Sequence, residues 1–258
     1  MRSTASVFHT LASMGKGKLK KFKENETFSC LVQPTTEEVL GKDHPLKGKW
    51  REQMFRNDHP IVLELGCGKG EYTVALAERF PGKNCIGIDI KGARLWKGAK
   101  YATLNHLSNV AFLRTRIEFI ESIFAPGEIS EIWITFADPQ ERKPRKRLTH
   151  PRFLESYRHI MVPGGIIHLK TDSRLLHHFT LETVRQNGLP LIEADEDIYG
   201  SGRADDLLSI QTFYEKNFLA QGIPIAYLAF HLTDDGPLVE PEWDQEPYQQ
   251  AYKTLTRS

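Results

Sequence analysis

The residues able to do chemistry fall into two groups, and the first lies in residues 131–147, EIWITFADPQERKPRKR. A run of buried-strand character leads to Asp138-Pro139, and five cations follow within residues 142–147. In open α/β sheets, ligands bind outside the carboxyl ends of the strands. A carboxylate at such an end, beside a loop that attracts phosphates, points to chemistry on a nucleic acid. The plain alternative is a strand followed by a solvated basic loop.

The second group surrounds the turn after residues 61–66, IVLELG. Gly66, Gly68 and Gly70 form G-x-G-x-G, and Glu71 stands where a dinucleotide fingerprint wants its third glycine. Glu64, just before the turn, is a poor neighbour for a diphosphate and a good one for a cationic amino-acid headgroup. S-adenosylmethionine carries an ammonium and a sulfonium, so these acids favour it electrostatically. Asp89 follows Gly70 by 19 residues, at the end of the next strand, where a carboxylate can accept both ribose hydroxyls. No metal site is expected. The ten histidines show no ligand spacing, and His177-His178 read as helix surface.

Positioning these groups requires strands that alternate with helices. Apolar runs at 61–66, 84–90, 109–115, 131–138 and 165–172 read as strands. Amphipathic stretches through Arg79, at 92–106, 151–161 and 173–187 read as helices, with a short helical turn through Phe124. The turns Pro81-Gly82, Pro126-Gly127 and Pro163-Gly164 separate them. Such repeated units imply an α/β fold with a mostly parallel central sheet flanked by helices. Residues 223–232 read as a last strand. Residues 1–58, Lys-rich and without periodicity, read as a basic arm with one short helix. Residues 59–232 read as one catalytic domain, and 233–258 as an acidic, Pro-rich tail.

A hydrophobic fraction of 40% and a net charge of +1 exclude a polycation and describe an ordinary soluble domain. The charge is segregated, however: residues 16–23, KGKLKKFK, are strongly basic, and 233–251 hold six acids without Lys or Arg. Three cysteines (Cys30, Cys67, Cys85) make neither a disulfide framework nor a metal pattern, which fits a reducing cytoplasm. No apolar run approaches bilayer length, so no membrane association is expected.

The segments LELGCGKGEYTVALAERFP, IGIDIKGARLWKGA, FADP with its basic loop, GGIIHLKTD and QTFYE, in this order, resemble the bacterial tRNA (guanine-N7)-methyltransferase family. The likeness extends from about Gly15 to Leu232, and GKGKLKKFKENETF resembles that family's basic arm. The resemblance implies a Rossmann-like class I methyltransferase fold and S-adenosylmethionine as methyl donor. It also implies methylation of the variable-loop guanine at position 46 of tRNA. It implies a monomer or homodimer without an obligatory protein partner. Glu64, the glycine turn, Asp89 and Asp138 would meet the cofactor, with Asp138 also the catalytic group. Arg142, Asp172, Thr212, Phe213, Tyr214 and Glu215 would face the substrate.

This sequence departs from the family pattern in three places. Arg116-Ile117 stands where an Asp-Ala pair usually holds the adenine, so Arg116 is a cofactor contact without the usual carboxylate. Gln140 replaces a Trp after Asp-Pro, and the basic loop is shorter. Methylation of an exocyclic amine is a rival chemistry, but the Asp/Asn-Pro-Pro-aromatic element it needs is absent at Asp138-Pro139-Gln140-Glu141. An inactive tRNA-binding relative is the rival outside enzymes; the intact acids and glycine turn speak against it.

Overall fold

The apolar runs form a single eight-stranded sheet in a computed structural model that describes residues 17–248. Its strands are β1 (Leu31–Val32), β2 (Ile61–Leu65), β3 (Asn84–Asp89), β4 (Val110–Arg114), β5 (Ile129–Thr135), β6 (Met161–Thr171), β7 (Leu191–Asp195) and β8 (Ala226–His231), in the order β1-β4-β3-β2-β5-β6-β8-β7. All pairings from β1 to β6 are parallel, and β8 runs antiparallel to both β6 and β7. Every residue of β2 is buried, as a strand covered on both faces demands.

One face carries α3 (Glu71–Arg79), α4 (Gly92–Leu104) and α8 (Phe213–Ala220), whose apolar residues pack over Val62, Cys85, Phe112 and Trp133. The other carries α5 (Ile120–Ile123), α6 (Pro151–Ile160) and α7 (Arg174–Gln186) over Leu63, Ile86, Ile132 and Ile167. The order of strands reverses at β2: β3 lies on one side of it and β5 on the other. A crevice opens at such a switch point, between the carboxyl ends of the two central strands.

Several elements differ from expectation. The fourth strand ends at Thr135, so Asp138 sits in the loop beyond it. The fifth strand begins at Met161 and runs through Pro163-Gly164, which was expected to stop a helix. Its pairing with β5 shifts register between Ile129 and Glu131, and this bulge absorbs the proline. His177 is buried, not on the helix surface, with Nε2 3.1 Å from the Tyr227 carbonyl.

The expected arm is in part built into the domain. A helix (α1) spans 17–25, β1 pairs with β4, α2 (Thr36–Val39) follows, and Trp50–Phe55 form a π-helical turn. Trp50 is fully buried, stacks on Phe124 at 5.3 Å and donates its indole N–H to the Ile123 carbonyl at 3.1 Å. Lys16 and the residues before it, with the end of the acidic tail from 249 on, lie outside the described residues.

Candidate active site: a cleft at the sheet switch point

Glu64 is the deepest acid of the site. It lies in β2 beside Trp133 of β5, and its side chain is buried. One carboxylate oxygen accepts from the Thr73 backbone N–H at 2.8 Å and from the Thr73 hydroxyl; the other accepts from the Thr135 hydroxyl at 2.6 Å. Burial raises its pKa to about 7, against the pull of these donors. It therefore braces the start of α3 against the end of β5 and presents only its edge to the crevice.

The glycine turn links β2 to α3. Gly70 adopts φ +72°, in the left-handed region, as the residue before α3. A Cβ there would also collide with the Phe112 ring, which fills the space between Gly70 and Gly98 of α4. That is why the third glycine comes two residues after the second: it packs helix to sheet at the helix start. Asp89 turns back toward the turn, accepting from Gly68 N–H at 3.0 Å and from Lys91 N–H at 2.7 Å.

Across the crevice, the chain leaves β5 through a contorted loop. Phe136 (φ 50°) and Gln140 (φ 48°) are both left-handed without being glycine. Such backbone conformations cost about 1–3 kcal/mol each and gather at functional sites. Between them, Asp138 accepts the Gln140 N–H at 2.9 Å through one oxygen. The strain aims this turn into a cavity of about 600 Å³. Glu64, the Gly66–Gly68 turn, Thr135, Phe136 and Asp138 line that cavity, with Thr212 and Tyr214 closing the far side. A lobe of about 490 Å³, lined by Asp89, Ile90, Arg116, Ile117 and Glu118, shares Gly66, Ile117, Gln140 and Lys146 with it. Lys91, Arg94 and Lys146 stand in the walls of the cavity and Arg152 in the lobe, so the mouth is rimmed by cations.

The shape fits an S-adenosylmethionine molecule. The two joined spaces have the volume of a small-ligand site, glycine backbone lines one wall, and the carboxylates stand where an ammonium and a ribose would need acceptors. Arg116 pairs with Glu118 at 3.2 Å, so an acid does stand in the lobe although the Asp-Ala pair is missing.

A family described as "Putative methyltransferase" matches residues 58–228. A tRNA (guanine-N(7)-)-methyltransferase of Bacteroides thetaiotaomicron is 48% identical over 247 residues, covering 95% of this chain and 98% of that protein. One from Christiangramia forsetii is 52% identical over 220 residues, covering 84% and 98%. The chain belongs to the tRNA (guanine-N7)-methyltransferase family. Solved structures share the fold at low identity. The 16S rRNA methyltransferase KamB matches with TM-score 0.56 at 15% identity, covering 70% of this chain and 92% of that one. The 16S rRNA (adenine(1408)-N(1))-methyltransferase of Catenulisporales acidiphilia matches with TM-score 0.52 at 14% identity, covering 74% and 93%.

Within this family frame, the structure brings Glu64, Gly66, Gly68, Asp138, Thr212 and Tyr214 to one cavity, with Asp89 and Arg116 in the adjoining lobe. Four expected substrate-side residues stand elsewhere. Arg142 is exposed on the basic loop outside the cavity wall, and Lys146 takes the inward place. Asp172, one residue past β6, is half-buried, and burial raises its carboxyl pKa. Ser173 caps α7 through the Leu176 N–H, which leaves the Asp172 carboxylate uncommitted to the helix. Phe213 is exposed beneath the Lys69 ammonium, 4.6 Å from its ring centre. Glu215 is fully buried and ion-paired with Lys170 at 2.6 Å.

Arg147 departs from the expectation for the basic run as a whole. Its guanidinium is buried, lies 4.4 Å over Phe179 and donates to the Pro139 carbonyl at 3.0 Å. It anchors the Asp138 loop from beneath, so four cations of the run remain for an anionic partner. Lys170 was missed as a site residue because a lysine in a strand run gives no sign that its ammonium turns inward.

Proposed function

We propose that this protein transfers the methyl group of S-adenosylmethionine to N7 of a guanine in tRNA, the variable-loop guanine 46, to give 7-methylguanine. One observation carries the reading: Asp138 lines the same cavity as the glycine turn and as Thr212 and Tyr214, at a mouth ringed by cations. The names of the relatives support the substrate, since they share 48% and 52% of their aligned residues with this chain.

The cofactor supplies an electrophilic methyl on a sulfonium. Guanine N7 has a free lone pair, so no base is needed to create the nucleophile. The protein's task is alignment, which can supply a large share of the rate. Asp89 accepts from ribose hydroxyls, and the edge of Glu64 with the glycine turn faces the ammonium end. The free oxygen of Asp138 accepts from the N1–H and amino group of the guanine and offsets the charge that develops on the base. Tyr214, about half exposed at the rim, offers an aromatic face to stack on the base. Lys91, Arg94, Lys146 and the exposed Arg142 bind phosphates and position the tRNA without reading its sequence. Among the described residues no helix is long and apolar enough to cross a membrane. The proposal includes a single chain that acts on tRNA in the cytoplasm, as monomer or homodimer.

The test is Asp138→Ala. Expected are loss of at least about a hundredfold in methyl transfer to tRNA, an unchanged melting temperature, and calorimetric cofactor binding that is weakened but still measurable. Wild-type activity in this variant refutes the role.

A further inference from the structure

Glu71 occupies the place where the glycine pattern fails, and nothing in the proposed chemistry uses it. The structure shows what it does. One carboxylate oxygen accepts the Phe213 backbone N–H at 2.8 Å, and the other pairs with Lys97 of α4 at 2.9 Å. Glu71 is the first residue of α3, directly after the glycine turn; Phe213 is the first residue of α8, directly after Thr212. The Phe213 N–H is one of the unpaired donors that open a helix, so a carboxylate is well suited to hold it. Lys69, on the other side of Gly70, covers the Phe213 ring. Further along α3, Tyr72 donates to the Leu207 carbonyl at 3.4 Å, and Arg79 pairs with Asp206 at 2.5 Å. The helix that begins at the cofactor turn is thus pinned to the segment carrying Thr212 and Tyr214 at three places, and Glu71 makes the pin nearest the cavity.

We propose that Glu71 is a positioning residue that locks the cofactor turn to the base-side start of α8, setting the distance between methyl donor and guanine. This rests on the methyltransferase reading of the cleft. An in-line transfer depends steeply on the separation of its two reactants, whereas the binding of each depends on its own half of the cavity. Loss of the pin therefore lowers turnover more than it weakens either ligand. Glu71 stands in the cavity wall with both carboxylate oxygens committed, one to the Phe213 N–H and the other to Lys97, so it acts on the reactants through α8. Three variants separate the parts. Glu71→Ala removes the acceptor, Glu71→Gln keeps an acceptor oxygen for Phe213 N–H, and Lys97→Ala removes only the outer ion pair.

The experiment measures steady-state kcat and KM for tRNA, calorimetric affinity for S-adenosylmethionine and melting temperature for each variant. For Glu71→Ala, kcat falls about tenfold, the low end expected for losing a partly exposed charged hydrogen bond. Its tRNA KM and cofactor affinity stay within about twofold, and its melting temperature falls by at most about 6 °C. Glu71→Gln recovers kcat to within about threefold of wild type, and Lys97→Ala behaves as wild type. Three results overturn the proposal: wild-type kcat in Glu71→Ala, a fall in cofactor affinity that accounts for its rate, or a Glu71→Gln enzyme as slow as Glu71→Ala. Failure of the underlying reading looks different, because the wild-type protein then forms no 7-methylguanine at all.

Discussion

Lys170 and Glu215 hold the α8 end of the cleft from within, and removing one of them should cost far more than removing both. Their charged atoms lie 2.6 Å apart with both side chains fully buried. The Lys170 ammonium also donates to the carbonyls of Leu208 at 2.6 Å and Ile210 at 3.0 Å, so all three of its protons are used. Glu215 accepts from the Tyr199 hydroxyl at 2.8 Å, and its other oxygen completes the capping box with Thr212. In Lys170→Met the carboxylate stays buried with too few donors, and two carbonyls lose their partner. Breaking a buried pair in this way costs about 3–5 kcal/mol. In a chain of this size that is a fall of roughly 6–20 °C in melting temperature. The double variant Lys170→Met/Glu215→Leu replaces the pair by apolar volume and should recover most of that loss. A residual remains for the cap, about 1 kcal/mol, and for the two carbonyls, which lack their partner in both variants. Urea unfolding followed by circular dichroism, with a methyl-transfer assay at a permissive temperature, reads both effects. If Lys170→Met unfolds at the wild-type urea concentration, or the double variant is no better than the single, the bracing account is refuted. A stable but inactive double variant would instead return Glu215 to direct contact with the substrate.

Other perturbations test the remaining elements. Glu64 titrates at about 7 when folded against 4.5 as a free group. The stability it adds is full below about pH 4.5 and is lost as pH rises through 7, by about 3 kcal/mol. Unfolding at pH 5 and pH 8 should show that slope in the wild type and a flatter one in Glu64→Gln; equal slopes would count against it. Arg147→Ala should lose about 2–3 kcal/mol of stability through its buried hydrogen bonds. Lys146→Ala should unfold as wild type, bind tRNA more weakly and reduce the salt slope of log K by about 1; the opposite pattern would reverse the two assignments. Gly70→Ala forces a side chain onto a left-handed residue and into Phe112, so little folded protein should be recovered, and a well-folded variant would show that the turn can open.

The sheet and the glycine-turn wall of the cleft were legible because their signals are local. Strand periodicity needs only a few residues, and the glycine turn, Glu64 and Asp89 follow one another at the ends of adjacent parallel strands. The Thr212–Tyr214 side of the cleft was less legible because its residues meet through tertiary packing. Thr212-Phe213-Tyr214-Glu215 looks like one motif, yet a helix start turns Tyr214 to the rim and Glu215 inward to Lys170. Arg147 reads as one more cation in a basic run until the path of α7 places Phe179 beneath it. Trp50 and β1 lie in a Lys-rich stretch without periodicity, where a two-residue strand and a π-helical turn leave no repeating pattern. In each case a long-range partner decided the outcome.

The most direct test of the central claim is where the methyl group goes. Unmethylated tRNA is incubated with the protein and S-adenosylmethionine labelled in its methyl group, then treated with borohydride and aniline, which cleave the chain at 7-methylguanine. The account predicts that the label enters 7-methylguanine alone, that cleavage occurs at the variable-loop guanine, and that Asp138→Ala abolishes both. Label on adenine or on an exocyclic amine, or no transfer by a protein that binds both tRNA and cofactor, would contradict it.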